Sequence, residues 1–235
     1  MRVLGIIPAR AGSKRLPRKN VRLLAGRPLV LWAIEAARAA RAIDRLVVSS
    51  DDEEVLELAR ACDPTLALRR PPELAGDTSP AIDYVRHALR SLEVQEGRFD
   101  AVAILQPSSP FTRAEDIDGT IALLRESGAE SAVSIVELDH AIHPLKLKRL
   151  EGDRLRPYLE EERGRMAAHE LPRLFVRNCS VYVSRRAVLD AGAILGEDCR
   201  GYLMPAERSI DINTAHDLLF AEFLLQRAAA GGAAA

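Results

Sequence analysis

The chain has 235 residues, 48% of them hydrophobic and 29% charged, with a formal net charge of −1. That length and balance describe one large folded domain, or one with a sizeable insertion, and exclude a chain that is disordered throughout. The near-zero charge argues against a protein that coats nucleic acid or a membrane surface, and no apolar run reaches the ~18 residues a bilayer span needs.

In chain order, VLGIIP (3–8) is a short apolar run stopped by proline, the pattern of a buried strand. A loop rich in Gly, Lys and Arg runs to about Gly26. Pro28 then opens a helix, LVLWAIEAARAARA, with apolar residues at helical spacing. DRLVVSS is a strand, and DDEEVLELARAC a helix whose first turn is acidic, so Asp51 and Asp52 are read as favouring its positive N-terminus. TLALRR (strand), PPELAGDTS (loop) and PAIDYVRHALRSLE (helix) follow, then DAVAILQP (strand), SSPFTR (loop) and AEDIDGTIALLRES (helix), then the strand SAVSIVEL. After residue 138 the rhythm breaks into a proline- and charge-rich stretch, 139–175, read as an inserted loop or hairpin. RNCSVYVS is again a strand, RRAVLDAG a short helix, and GYLMPAERSIDI one or two short strands. TAHDLLFAEFLLQRAAA is a closing helix with Thr214 as its N-cap.

Strands alternating with helices of this length predict an α/β fold, a mainly parallel sheet covered on both faces. The expectation is a single domain over residues 1–230, with the insertion at about 139–175 and a frayed tail at 231–235. The N-terminal apolar stretch is short and runs straight into basic residues, unlike a signal peptide. Three widely spaced cysteines (Cys62, Cys179 and Cys199) form no C-x-x-C pair, which predicts neither a disulfide framework nor a zinc site and suits a reducing cytoplasm.

The chemistry concentrates after the first strand, in Ala9-Arg10-Ala11-Gly12-Ser13-Lys14-Arg15-Leu16-Pro17-Arg18-Lys19-Asn20. Ligands of open parallel sheets bind at the carboxyl ends of strands. A Gly/Ser loop there can aim backbone N–H groups at phosphate oxygens, and Arg10, Lys14 and Lys19 add the charge a triphosphate needs. The segment is neither a Walker loop nor G-x-G-x-x-G. The chain holds only four lysines (Lys14, Lys19, Lys146 and Lys148), and two of them fall in this one motif.

PARAGSKRLPRKN followed by LLAGRPL resembles the opening signature of the CMP-sialic acid synthetase family, the acylneuraminate cytidylyltransferases. VVSSDDEEV, RRPPELAGDTS, LQPSSPF, HPLK, RNCSVYV and SIDINTAHDLLFAE resemble further elements of that family in the right order, so the resemblance spans about residues 3–226. It implies a Rossmann-like three-layer α/β/α fold of the nucleotide-diphospho-sugar transferase type. It also implies an Mg²⁺-dependent transfer of CMP from CTP to the anomeric hydroxyl of a nonulosonic acid (sialic, legionaminic or pseudaminic), and a homodimer whose inserted region crosses to the partner. Carried over position by position, Arg10 and Lys19 would bind the CTP phosphates, and Gly12, Ser13 and Lys14 would form the phosphate-binding turn. Asn20 would contact the nucleotide, and Arg70, with Asp77 in its loop, would help hold the cytidine end. Gln106 would contact the acceptor and Lys146 would reach the sugar site. Asp211, a carboxylate at a strand end, would bind Mg²⁺.

Four departures fall in the acceptor half. Asn213 stands where the family's closing motif has a second Asp, so an amide oxygen would take the second metal contact. Thr112 displaces Arg113 by one position. Asn178-Cys179-Ser180 replaces Asn-Gly-Ala. Arginines expected before that strand are matched only by the nearby Arg173 and Arg177. With Asn178 and Tyr182, these two arginines complete the expected acceptor site. The departures leave open a different acid acceptor, 3-deoxy-manno-octulosonate or a phosphonate, and a catalytically silent nucleotide-binding subunit.

Overall fold

The computed structural model describes residues 1–159, 167 and 171–232. Its elements in order are β1 (Val3–Pro8), β2 (Leu23–Leu24), β3 (Arg27–Pro28), α1 (Leu29–Ala39), β4 (Arg45–Ser50), α2 (Glu53–Cys62), β5 (Ala67–Arg69), α3 (Ala81–Glu96) and β6 (Ala101–Leu105). There follow α4 (Ala114–Ser127), β7 (Ser131–Glu137), β8 (Lys148–Glu151), β9 (Arg154–Pro157), β10 (Phe175–Arg185), α5 (Arg186–Asp190), β11 (Cys199–Leu203) and α6 (Ala215–Gly232).

Seven strands form one sheet in the order β11-β7-β10-β6-β1-β4-β5. Every neighbouring pair is parallel except those of β10, which runs antiparallel to both β6 and β7. The sheet is therefore mainly parallel, as the alternating pattern predicts, with one strand reversed. From β1 the chain first builds outward through β4 and β5, then returns to place β6 on the other side of β1. That reversal opens a crevice at the carboxyl ends of β1 and β6.

Side-chain alternation along β1 shows why both faces are covered. Val3 and Ile7 pack with Val30 and Ile34 of α1, Val55 of α2, and Ile117 and Ile121 of α4. Leu4 and Ile6 point the other way, onto Tyr84, Val85 and Leu89 of α3 and Leu189 of α5. The result is a three-layer α/β/α sandwich. A third cluster joins Leu16, Leu24, Leu29, Ile212 and Ala221. It fastens the loop after β1 to the segment before α6, and so brings residues far apart in sequence to one place.

Several boundaries differ from the sequence reading for local reasons. Helix α1 stops at Ala39 because the Asp118 carboxylate captures the backbone N–H groups of Arg41 and Ala42 (3.1 and 2.8 Å). The strand expected at 65–70 shortens to β5, since Asp63 accepts from Thr65 N (2.8 Å) and bends Pro64–Leu66 into a 3₁₀ turn. LLAGRPL holds a small hairpin, β2–β3, which turns through Ala25 and Gly26, both at positive φ. Only one strand, β11, forms in the 199–212 region. Asp211 thus lies in irregular chain rather than at a strand end, and Ile212 N is held by Ser108 O (2.7 Å). The expected insertion carries the hairpin β8–β9; its residues 160–166 and 168–170 lie outside the described residues. Helix α6 continues to Gly232, two residues into the expected tail, and 233–235 again lie outside them.

An ion pair with a buried carboxylate ties α4 to the segment after β11. Asp116 in α4 is fully buried, accepts from Arg113 N (2.9 Å), and takes a two-pronged bond from Arg208 (Nε 3.1 Å, Nη2 2.7 Å). Removing the arginine strands a buried carboxylate. Arg208→Ala is expected to cost about 3–5 kcal/mol in urea unfolding, whereas removing both partners together costs less.

Candidate active site

A cleft of about 430 Å³ opens at the reversal point, bordered by Arg10, Lys14, Arg15, Lys19, Arg70 and Gln106 among others. The loop after β1 enters it as a series of anchored turns. Ser50 Oγ donates to Ala9 O (2.6 Å), Asp51 accepts from Ala11 N (2.9 Å), and Asn20 Nδ2 donates to Arg10 O (2.9 Å). Between these anchors, Ser13 N closes back on Ala11 O (2.9 Å). A Cβ added at Gly12 would meet nothing within 4 Å, so Gly12 faces open space.

The cations are held in different ways. Arg70, after β5, is buried; Nε and Nη2 bond Ser49 (3.1 and 2.9 Å), and its guanidinium lies over the Tyr84 ring at 4.5 Å. Lys19 donates to Ile212 O (3.1 Å) and Asn213 Oδ1 (3.3 Å). Burial lowers the pKa of its ammonium, more than the nearby Asp211 carboxylate raises it. Arg15, which sequence reasoning passed over within the same basic run, donates to Asn213 Oδ1 at 2.9 Å.

Asp77 bridges Arg10 (2.9 Å) and Lys14 (2.5 Å), two of the cations expected to meet phosphate. The two cations, Lys14 first, hold its carboxyl below the usual carboxylate range. Such exposed pairs, screened by solvent, add little stability. Asp77→Asn is expected to leave Tm nearly unchanged and to lower KM for a nucleoside triphosphate about two- to five-fold, by freeing both cations. A raised KM in steady-state assays would instead put this carboxylate on the nucleotide.

Asn213 borders the cleft; Asp211, near Lys19, is absent from the cleft lining. Asp211 Oδ2 accepts from Asn213 Nδ2 (2.6 Å), while Oδ1 is buried without a hydrogen-bond partner. The following helix start is set by a reciprocal cap: Asp217 Oδ2 accepts from Asn213 N (2.9 Å), Thr214 N (2.7 Å) and Thr214 Oγ1 (2.9 Å), and Asp217 N donates back to Thr214 Oγ1 (3.3 Å). The spacing Thr214-x-x-Asp217 was readable in the sequence as such a cap.

The expected acceptor residues are not gathered so closely. Gln106 borders the cleft. Tyr182 lies within electrostatic reach of Arg177 and Asp211, and burial together with a hydrogen bond to Cys179 raises its phenol pKa. Cys179 sits at φ 63° in the irregular stretch of β10 between Arg177 and Tyr182, a conformation that favours the glycine it replaces. Asn178 turns inward instead. It accepts from Ser134 Oγ (2.6 Å) and donates to Ser209 Oγ (2.8 Å), so its amide ties the bulge to β7. Arg173 is exposed and forked onto Glu137 (2.9 and 2.6 Å). Lys146 ends a 3₁₀ turn in the insertion and is absent from the cleft lining.

The cations at the reversal point of this sheet suit a polyphosphate, and comparison with known proteins makes the chain a nucleotidyltransferase. A family model described as cytidylyltransferase matches residues 4–189, and the chain belongs to that family. It is 32% identical to CMP-N,N'-diacetyllegionaminic acid synthase of Legionella pneumophila over 96% of this chain and 97% of that one. It is 26% identical to the pseudaminic acid cytidylyltransferase of Campylobacter jejuni over 95% and 96%. A solved CMP:2-keto-3-deoxy-manno-octonic acid synthetase, complexed with CTP, shares the fold at a TM-score of 0.71 and 20% identity, covering 97% of this chain and 99% of that one.

Proposed function

We propose that the protein transfers CMP from CTP to the anomeric hydroxyl of a nonulosonic acid of the legionaminic, pseudaminic or sialic type. The anomeric oxygen bonds to the α-phosphorus, the α–β bridging bond breaks, and pyrophosphate leaves. The observation that carries this reading is the convergence of Arg10, Lys14, Lys19 and Arg70 on one cleft, with Asp211 near Lys19. Transfer at phosphorus needs positioning and charge neutralisation more than covalent help. Arg10, Lys14 and Lys19 supply fixed positive charge for the triphosphate and the departing pyrophosphate, and Gly12 keeps the turn between them free of a side chain. Arg70, stacked and hydrogen-bonded, serves the nucleoside side.

Mg²⁺ belongs to the same reading. Among the described residues no three His, Cys, Asp or Glu side chains form a metal cage. A hard cation that takes one carboxylate plus phosphate oxygens needs none, and the unpartnered Oδ1 of Asp211 fits it. When bound, it would neutralise charge on the phosphates. Asp211 is the residue that would hold it.

A homodimer is supported by the exposed apolar residues of the insertion: Leu150 and Leu155, paired across β8–β9, are 69% and 67% exposed. Lys146 would then serve the partner's acceptor site. Replacing both leucines by glutamate is expected to convert a dimer to a monomer in sedimentation; an unchanged mass would move the interface elsewhere. Three free cysteines agree with a cytoplasmic setting, which cell fractionation checks. No described helix is long and apolar enough to cross a membrane.

Pyrophosphate release tests the function directly. CTP, UTP, ATP and GTP are crossed with legionaminic, pseudaminic, sialic and octulosonic acids and a phosphonate, with Mg²⁺. Release with CTP and one nonulosonic acid is expected. Release with CTP and a different acceptor would overturn the sugar and keep the nucleotide. CTP binding without release would point to a silent subunit.

A further inference from the structure

The amide at position 213 can be oriented from its neighbours. On one side stand two cationic donors, Arg15 Nη2 at 2.9 Å and Lys19 Nζ at 3.3 Å; on the other stands the carboxylate oxygen Oδ2 of Asp211 at 2.6 Å. Turning the amide over would set its NH₂ against two donors and its oxygen against a carboxylate. Only one orientation satisfies all four groups: Oδ1 accepts from the cations and Nδ2 donates to Asp211. The backbone N–H of Asn213 is fixed as well, by Asp217 Oδ2 at 2.9 Å.

Two consequences follow. The oxygen of Asn213 already serves two positive groups, and a divalent cation at that oxygen would have to approach both of them. The carboxylate of Asp211, meanwhile, is divided: Oδ2 is taken by the amide and Oδ1, buried, has no partner. An aspartate at 213 would place two carboxylate oxygens in that 2.6 Å contact, which requires a cation or a proton between them. The amide removes that requirement.

We infer that Asn213 is a positioning residue and not a metal ligand: it holds Asp211 by Oδ2, leaves Oδ1 as the single oxygen for the divalent cation, and seats Arg15 and Lys19 beside it. This rests on the reading of Asp211 as the Mg²⁺ anchor, and it replaces the expectation that Asn213 supplies the second metal contact. Most remaining positions around the ion then belong to phosphate oxygens and water, an arrangement common for Mg²⁺.

The test uses Mn²⁺ as the probe, with CTP and no acceptor, and counts metal-bound waters by pulsed electron paramagnetic resonance in D₂O. Asn213→Ala is expected to keep the parental water count while weakening Mn²⁺ binding about ten-fold or more, the scale of losing an outer partner of a ligand. Asn213→Asp is expected to lose one water as a second carboxylate enters. One extra water in Asn213→Ala marks a lost ligand and overturns the inference. The unaltered protein gives a second reading that no folding defect can spoil. In a crystal with CTP and Mn²⁺, Asn213 Oδ1 is expected to remain on Arg15 and Lys19; finding it in the metal's coordination shell overturns the inference. Asp211→Asn separates this outcome from failure of the reading beneath it. Parental Mn²⁺ affinity in that variant would take the metal away from Asp211 altogether, and the positioning role with it.

Discussion

Lys19→Met is expected to lower kcat/KM for cytidylyl transfer by about 10³-fold or more, on the scale seen when one preorganised charge is removed from a phosphoryl-transfer site. It is also expected to leave the fold as stable as before or slightly more so. The reason lies in the lysine's surroundings. Burial is the largest influence on its pKa and pulls it below the ordinary 10.5. A lysine whose pKa is lower folded than unfolded is a charge the folded state tolerates at a cost. Between the two values the unfolded chain binds more protons, so stability rises with pH across that window, below 10.5. Activity runs the opposite way, falling as the ammonium loses its proton. With only four lysines in the chain, the difference between parent and Lys19→Met over alkaline pH isolates this group. Activity and urea stability measured together decide the matter. Parallel pH trends, or kinetics unchanged in the variant, would remove Lys19 from the mechanism.

The second large effect is expected at Asp211. Asp211→Asn should raise the Mg²⁺ concentration for half-maximal turnover about 10–100-fold or more, because the proposed site rests on this one carboxylate and no cluster of three His, Cys, Asp or Glu among the described residues could hold the ion instead. The isosteric change keeps the shape of the site, so circular dichroism and Tm should change little. CTP binding without metal should also change little, since Asp211 touches neither Arg10 nor Lys14 directly. A variant with the parental metal titration would place the ion elsewhere.

Local patterns carried much of this architecture. Apolar runs ended by proline or acidic residues marked β1, β4 and β6, and helical spacing marked α1, α3 and α4. Asp52 was readable as a cap, and it accepts from Glu54 N at 3.0 Å. What local pattern does not encode is direction and partnership. RNCSVYVS reads as a strand whichever way it runs, and only its return from the insertion makes β10 antiparallel. The same limit applied in the site. The loop after β1 announced its cations by composition, but whether a given cation faces solvent, Asp77 or Asn213 depends on chain from other strands. Tyr84 lies in a helix, and nothing nearby in sequence tied it to Arg70. Cys179 was flagged only because a glycine was expected there, and its positive φ is the physical content of that expectation. Asn178 and Arg173, expected at the acceptor, take partners in the scaffold here, Ser134 and Ser209 for the one and Glu137 for the other.

The bond from Lys19 Nζ to Ile212 O spans 193 positions. During synthesis the strand, loop and cations of the triphosphate side emerge first, and a chain with its early βα units folded already holds most of what grips phosphate. It lacks Asp211, Asn213 and the backbone carbonyl that seats Lys19. On the proposed function, transfer would begin only when residues 211–213 dock. Contacts of such separation form late and slowly. A pause in translation shortly before that segment would, on the same reading, delay completion of the site.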